Sequence, residues 1–152
     1  MWPGLFSFVS IVAMIGWVLL AFLPRKPLVH SLILFLGVGL LCLCYTLFLI
    51  GVRGAFVDPG LPAGATQQVV DFITIEGVRA IFQTDGGVLI GWTHYLAFDL
   101  FTGLWIARDA DAKGFSRIVK LPFLALTFLV CPVGLFFRLL TREARARKLG
   151  RG

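Results

Sequence analysis

Residues 91–109, GWTHYLAFDLFTGLWIARD, decide how this chain is read. The stretch is apolar enough to lie in a lipid bilayer, yet it carries His94, Tyr95 and Asp99. An aspartate near the centre of a membrane helix costs about 2.5–3.5 kcal/mol on insertion scales. Asp99 must therefore face a protein interior, pair with a neighbour or carry a proton.

Working outward, the rest of the chain has the same character. It has 152 residues, 59% hydrophobic and 14% charged, which suits one compact membrane domain and leaves no room for a second globular one. Residues 2–23 hold no charge before the turn Pro24-Arg25-Lys26-Pro27, and residues 27–52 hold none beyond a proton that His30 can take. Both runs exceed the roughly 20 residues needed to cross the hydrocarbon core. Residues 86–106 form a third segment, interrupted by His94 and Asp99. Residues 121–137 form a fourth, which reaches spanning length by borrowing Ile118, Val119, Leu139 and Leu140 while Lys120 and Arg138 snorkel outward. The pattern predicts an all-α integral membrane four-helix bundle over residues 1–142, with helices near 3–23, 28–52, 86–107 and 118–140. A basic tail, residues 143–152, follows.

The first segment lacks a basic n-region and meets Pro24 instead of a small-residue cleavage site, so it reads as retained. No Arg- and Ser-rich transit region precedes it, which favours a bacterial cytoplasmic or photosynthetic membrane. Four spans put both termini on one side. Arg53, Arg79, Arg138, Arg142, Arg145, Arg147, Lys148 and Arg151 on that side face Arg25, Lys26, Arg108, Lys113, Arg117 and Lys120 on the other, which turns both termini toward the cytoplasm. The net charge of +6 sits mainly in the tail. It fits anionic lipid headgroups; without interleaved aromatics or a recognition fold it does not fit nucleic acid.

Three cysteines make neither a metal site nor a disulfide framework. Cys42 and Cys44 point to nearly opposite faces of one helix, and Cys131 lies before Pro132, so all three read as small packing residues. His30 falls at headgroup level beside a basic turn. No metal and no cofactor is expected.

The connection from Arg53 to Asp85 is longer than a bundle needs. Its first part, residues 57–64, is turn material, whereas residues 66–83 contain no proline and predict an additional amphipathic or interfacial helix with Gly77 as its weak point. On a helical wheel Val69, Phe72, Ile73, Glu76 and Ala80 share one face, and Gln67, Asp71 and Thr74 the other. Glu76 thus sits on the apolar side. It either pairs with Arg79 or points into the membrane domain as a proton-transfer group.

In the third helix, His94, Tyr95, Asp99, Trp92, Thr102 and Asp109 fall on one arc, and Ala97, Leu100, Leu104 and Ala107 on the other. The wheel predicts lipid against the alanine and leucine side and a polar-lined interior on the other. Asp99 then either ties the bundle together through Tyr95, Trp92 or backbone, or belongs to a buried acid and base lining a pocket for an apolar substrate. Pro132 is read as a kink in the fourth helix at a depth where such a pocket opens.

The run from His94 to Phe101, followed by Gly103, Trp105-Ile106, Leu126-Thr127, Cys131-Pro132-Val133-Gly134-Leu135 and the basic end, resembles the abscisic-acid-deficient-four family of membrane proteins required for neoxanthin synthesis in plants, which has bacterial homologues. The likeness lies mainly in residues 70–142 and includes Glu76-Gly77. It implies a four-span protein without a known cofactor that acts on xanthophylls, and it favours the proton-transfer reading of Glu76. Converting an epoxy end group into an allenic alcohol is redox-neutral and needs an acid at the epoxide oxygen and a base at the adjacent carbon. His94 is the candidate base, Asp99 or Glu76 the candidate acid, and Trp92, Tyr95, Phe98, Thr102 and Pro132 the candidate substrate contacts. The other reading is a membrane protein that binds a carotenoid or other lipid without transforming it, or an assembly factor. Transport would require a homo-oligomer, since four helices seldom enclose a pathway and no inverted repeat is visible.

Overall fold

The computed structural model describes residues 1–23, 26–66 and 68–149. The Pro24-Arg25 turn, Gln67, residues 150–152 and the side chains of Arg117 and of the basic tail from Arg142 lie outside the described residues. The fold is all-helical, without a strand among the described residues: α1 (Trp2–Phe22), α2 (Pro27–Leu32), α3 (Leu40–Arg53), α4 (Ile75–Ile81), α5 (Asp85–Ala112), α6 (Arg117–Leu129) and α7 (Cys131–Leu149). A π-helical stretch, Ile33–Gly39, joins α2 and α3 into one continuous rod, Pro27–Arg53. Among the described residues, that rod and α1 are long and apolar enough, by length and composition, to cross a membrane.

The long helix α5 runs through the middle and packs against α1, the π-helical stretch, α3, α6 and α7. Its buried residues include Leu89, Thr93, Ala97, Leu100, Leu104 and Ala107 on one arc, and Asp99 and Ile106 on the other. This overturns the wheel, which turned Ala97, Leu100, Leu104 and Ala107 toward lipid. The reason is steric. Small residues let helices approach closely, and where the surroundings are apolar, close packing and not hydrophobicity chooses the inner face. Leu100 is gripped by glycines of two neighbours: a Cβ on Gly16 would come within 2.6 Å of its Cδ2, and one on Gly37 within 3.0 Å. Gly103 in turn seats the Trp17 indole, which a Cβ there would meet at 2.5 Å.

Trp2 lies beside Gly86, Trp17 beside Gly103, and His30 beside Asp111, so α1 runs parallel to α5 and the Pro27–Arg53 rod antiparallel to it. The predicted fourth span is not one helix. Leu129 ends α6, Val130 leaves the helical region (φ −147, ψ 85), and α7 turns back along α6. At 1.5 Å per residue, the 13 residues of α6 reach about 20 Å, well short of a crossing. Pro132 is therefore a first-turn residue of a new helix, where its missing N–H costs nothing, and not a kink inside an old one. Val130 offers its carbonyl to the amides of Val133 and Gly134 at 3.0 and 3.2 Å.

Gly134 is where the two arms touch, because a Cβ there would collide with Thr127 backbone and hydroxyl atoms. Gly134→Ala is expected to destabilise the protein by about 1–3 kcal/mol through overpacking. Gly4→Ala, at a position with nothing within 4 Å, is expected to leave thermal unfolding in detergent unchanged or raise its midpoint.

The hairpin also corrects two charges. Lys120 and Arg138 do not snorkel outward: they are 4% and 1% exposed, paired to Asp111 (2.9 Å) and Asp109 (2.7 Å) near the end of α5. Arg138 thus returns to the end of the bundle where α6 began. The amino-terminal end of α1, with Trp2 beside Gly86 at the start of α5, lies at the opposite end of the bundle from Arg138.

At the amino-terminal end the loop after α3 closes over the start of α5. Pro59 and Gly60 carbonyls accept from the Gly86 and Asp85 amides at 2.8 and 3.3 Å, and the Thr84 hydroxyl accepts from Gly87 at 3.0 Å, satisfying amides that a helix start leaves bare. Gly60 is at φ +74 with Trp2 against it, which leaves no room for a side chain.

The helix predicted over residues 66–83 shrinks to α4, Ile75–Ile81. Asp71 is responsible: its Oδ1 accepts from the Thr74 and Ile73 amides at 2.7 and 2.8 Å, and the Thr74 hydroxyl bonds its carboxyl at 3.0 Å. A side chain that captures these amides competes with a helix through them. The helix starts only after Thr74, whose hydroxyl caps the Gly77 amide at 3.0 Å. Gly77 is then no weak point but the bare backbone on which the Asp71 carboxyl rests. Val69, Phe72 and Ile73 lie before the helix and are exposed.

The bonds from the Thr74 and Ile73 amides, and then from the Thr74 hydroxyl, hold the Asp71 carboxyl below its ordinary value. A depressed folded-state pKa stabilises fully above the unfolded value and is lost as pH falls through the folded one. Amide exchange protection at Gly77 is therefore expected to hold at neutral pH and to fail in acid below about pH 4. With Asp71→Ala it should be weak at every pH, and unchanged protection in that variant would refute the cap.

Candidate functional site

The expected polar arc divides into two groups on α5. His94 is exposed and packs on Phe98 (ring centroids 4.6 Å) and Tyr45 of α3 (5.6 Å). Asp99 is buried, 5% exposed, on the side that meets α7. The structure does not bring His94 and Asp99 together. Glu76 is further away still, exposed in the first turn of α4, and no ion pair joins it to Arg79 among the described residues. Asp99 lies 14 residues into α5, about 21 Å from its start, so Glu76 and Asp99 occupy different levels of the bundle.

Around Asp99 the polar neighbours are Cys131 and Tyr95, and Thr102 in turn faces the Cys131 thiol. One carboxyl oxygen, Oδ2, is buried without a hydrogen-bond partner among the described residues. Such an atom is costly in an apolar interior and is the kind of departure from satisfied polarity that marks a working site. Thr93, one turn and a half earlier, has no such freedom: its hydroxyl returns to the Leu89 carbonyl at 2.8 Å.

Tyr95 connects this cluster to the surface. Its ring stacks on Trp92 (5.5 Å, 23° between planes), and Trp92 stacks on Phe6 of α1 (5.5 Å, 21°) while its Nε1 donates to Ser10 Oγ at 3.1 Å. Phe82, Val88, Gly91, Trp92 and Tyr95 line an open groove of about 330 Å³, and Phe6 and Val88 border a second of about 160 Å³. The result is an aromatic strip, half exposed on the flank of the bundle, that ends at a buried carboxyl. Flat apolar chains stack on such strips, and an oxygen on the chain's end would meet the polar group around Asp99.

Of the expected substrate contacts, Trp92 and Tyr95 line the groove and Thr102 sits beside Cys131. Phe98 belongs with His94, and Pro132 is exposed on the hairpin. Phe6 and Ser10 carry no signal of this role in the sequence. Cys131 reads there as packing, and only the break at Val130 turns it toward Asp99. Among the described residues no group of three or more metal-ligating side chains gathers.

Residues 4–137 match the family described as ABA DEFICIENT 4-like. No curated protein and no solved structure matches the chain.

Proposed function

The chain belongs to the ABA DEFICIENT 4-like family, and from that premise we propose that it is a multi-pass membrane protein that isomerises the oxygenated end group of a xanthophyll or similar isoprenoid. The observation that carries this reading is the buried Asp99 with its free Oδ2 at the inner end of the Phe6–Trp92–Tyr95 strip. The polyene lies along the strip from the lipid side, and the end group reaches Tyr95 and Asp99. Tyr95 gives its proton to the epoxide oxygen as the carbon–oxygen bond opens. Asp99 takes the proton from the adjacent vinylic carbon as the new double bond forms, then returns it to Tyr95. Atoms and electrons balance, and neither His94 nor Glu76 is needed for the proton transfers.

The membrane setting is supported by α1 and the Pro27–Arg53 rod, and by the outward Phe8, Ile11, Phe35, Leu36 and Leu47, which suit lipid better than water. In this reading α1, the rod and α5 cross, and α6–α7 is a re-entrant hairpin. Lys26, Arg108, Lys113, Lys120 and Arg138 then share the end to which α7 returns, against Arg53 and Arg79 at the other. That asymmetry puts the carboxy terminus in the cytoplasm and the amino terminus outside. Epitope tags at the two ends should be protease-sensitive from opposite faces of sealed vesicles; sensitivity from one face would restore the four-span arrangement.

The direct test has two steps. Organic extraction of purified protein followed by mass spectrometry identifies any bound polyene. Incubation with an epoxy xanthophyll in lipid nanodiscs, followed by chromatography, should show a product of equal mass. A bound polyene that never changes would favour the second reading, a carotenoid-binding membrane protein that does no chemistry.

A further inference from the structure

The helix α4 is built inside out. Its buried positions are Gly77 and Ala80, whereas Ile75 and Val78, which helical spacing puts on the opposite face, are 74% and 38% exposed. Just before it, Val69, Phe72 and Ile73 are 83%, 84% and 94% exposed. The only charges from Gly54 to Ile75 are Asp58 and Asp71, and each turns its carboxyl onto its own backbone. Asp58 accepts from the Gly60 amide at 2.8 Å, and Asp71 from the Ile73 and Thr74 amides. A segment facing water shows its polar groups and hides its apolar ones; this one does the reverse.

Position and continuity say what covers it. Through the Thr84 cap α4 leads into the start of α5, where Gly86 lies against Trp2, so it sits at the level where α1 and α5 begin. Phe82, which ends α4, continues the Ile75 and Val78 face. Its ring rests on Gly91, where a Cβ would meet it at 2.5 Å, and it lines the 330 Å³ groove with Val88, Trp92 and Tyr95. The apolar face of α4 thus leads into the flank of the bundle that faces lipid. Glu76 and Arg79 lie beside that face, where charge and water are met at a headgroup layer.

We propose that residues 69–82 are an interfacial anchor, with Phe72, Ile73 and Ile75 sunk into the headgroup and upper acyl layer of the leaflet at the amino-terminal end of the bundle. The depth is bounded, because residues 69–73 run outside any helix and irregular backbone needs the wet layer. The anchor holds Phe82 at the membrane surface, so that the groove opens sideways into lipid. This rests on the membrane reading of α1 and the Pro27–Arg53 rod, and not on the chemistry at Asp99.

A nitroxide reports the depth. In a Cys42→Ala/Cys44→Ala/Cys131→Ala background in liposomes of phosphatidylcholine and phosphatidylglycerol, Ile73→Cys carries one label, and Ile11→Cys on the exposed side of α1 is the reference for lipid. The Ile73 label should be relaxed more by oxygen, which concentrates in lipid, than by a water-soluble nickel chelate, with a ratio below that at Ile11. Relaxation at Ile73 mainly by the chelate, with Ile11 relaxed by oxygen, overturns the anchor and leaves the membrane reading standing. Chelate-dominated relaxation at both sites overturns both. Dipolar broadening at Ile73 that vanishes on dilution with unlabelled protein would seat a second copy on this face and overturn the anchor as well. Hydroxyl-radical footprinting of the unsubstituted chain in the same liposomes asks the question without cysteine replacement. Phe72 should be oxidised several-fold more slowly than free phenylalanine in the same sample, and oxidation at the free rate overturns the anchor.

Discussion

Asp99→Asn is expected to lower turnover of an epoxy xanthophyll by about 10²–10⁴-fold, the range that a positioned general acid or base contributes. Asparagine preserves the shape and most of the polarity of the side chain, so the residue's place beside Tyr95 and Cys131 is kept. What it removes is the ability to accept and release a proton. Substrate retention by the variant should therefore match the parent, and chromatography should find the epoxide unchanged. Tyr95→Phe provides the complement, since it keeps the ring on Trp92 while deleting the hydroxyl. It should likewise bind and fail to convert. His94→Ala and Glu76→Gln, which lie on another face of α5 and on α4, are expected to convert at rates near the parent's. Loss of conversion in His94→Ala with Asp99→Asn still active would move the chemistry to the Tyr45–His94–Phe98 face and refute the Asp99 assignment.

Where the sequence could be read correctly, the information was local. Charge-free length placed α1 and the Pro27–Arg53 rod to within a residue or so, and the apolar run from Gly86 placed α5. Helical spacing puts Trp92, Tyr95 and Asp99 on neighbouring positions of one arc, and this is the part of the candidate site that is legible in the sequence. Of that arc Asp99 is buried, as the wheel has it, while His94 lies at the surface and the Ala97–Leu100 side is buried as well, because a wheel sorts residues by affinity for water. For Leu100 and Gly103 the deciding quantity is how closely Gly16, Gly37 and Trp17 can approach, which the wheel does not contain. The α4 boundary failed for a smaller reason, the capture of the Ile73 and Thr74 amides by Asp71. The break at Val130 had its signal in Pro132. A proline preceded by apolar residues fits a kink as well as a first turn, and what chooses here is a contact 29 residues away in sequence, Arg138 to Asp109. Cys131 could not be joined to Asp99 until that choice was made.

That distant contact yields the other large effect. Arg138 is 1% exposed, its Nη2 donates to Asp109 Oδ2 at 2.7 Å, and its guanidinium lies over the Phe115 ring at 4.4 Å. Lys113 shares Asp109, while Lys120 holds Asp111. Removing one partner of a buried pair costs about 3–5 kcal/mol, because the other charge stays behind without its counterpart. Arg138→Met, which keeps the length and apolar body of the side chain, is expected to lose stability in that range. Lys113 limits the loss, since it still partners Asp109. The same physics predicts that Arg138→Met/Asp109→Leu recovers most of the difference, because an apolar pair of similar volume leaves no charge to desolvate. Lys113, partly exposed, can turn to solvent in the double variant. Thermal unfolding in detergent measures the cost. Maleimide labelling of Cys131 in a Cys42→Ala/Cys44→Ala background shows where the cost falls. The single variant should label faster than the parent, as the hairpin lifts from α5, and the double variant at close to the parent's rate. A single variant that unfolds and labels like the parent would mean that the ion pair does not hold the hairpin. Packing of Phe115, Phe123 and Leu124 would then have to hold α6 and α7 in place and keep Cys131 at Asp99.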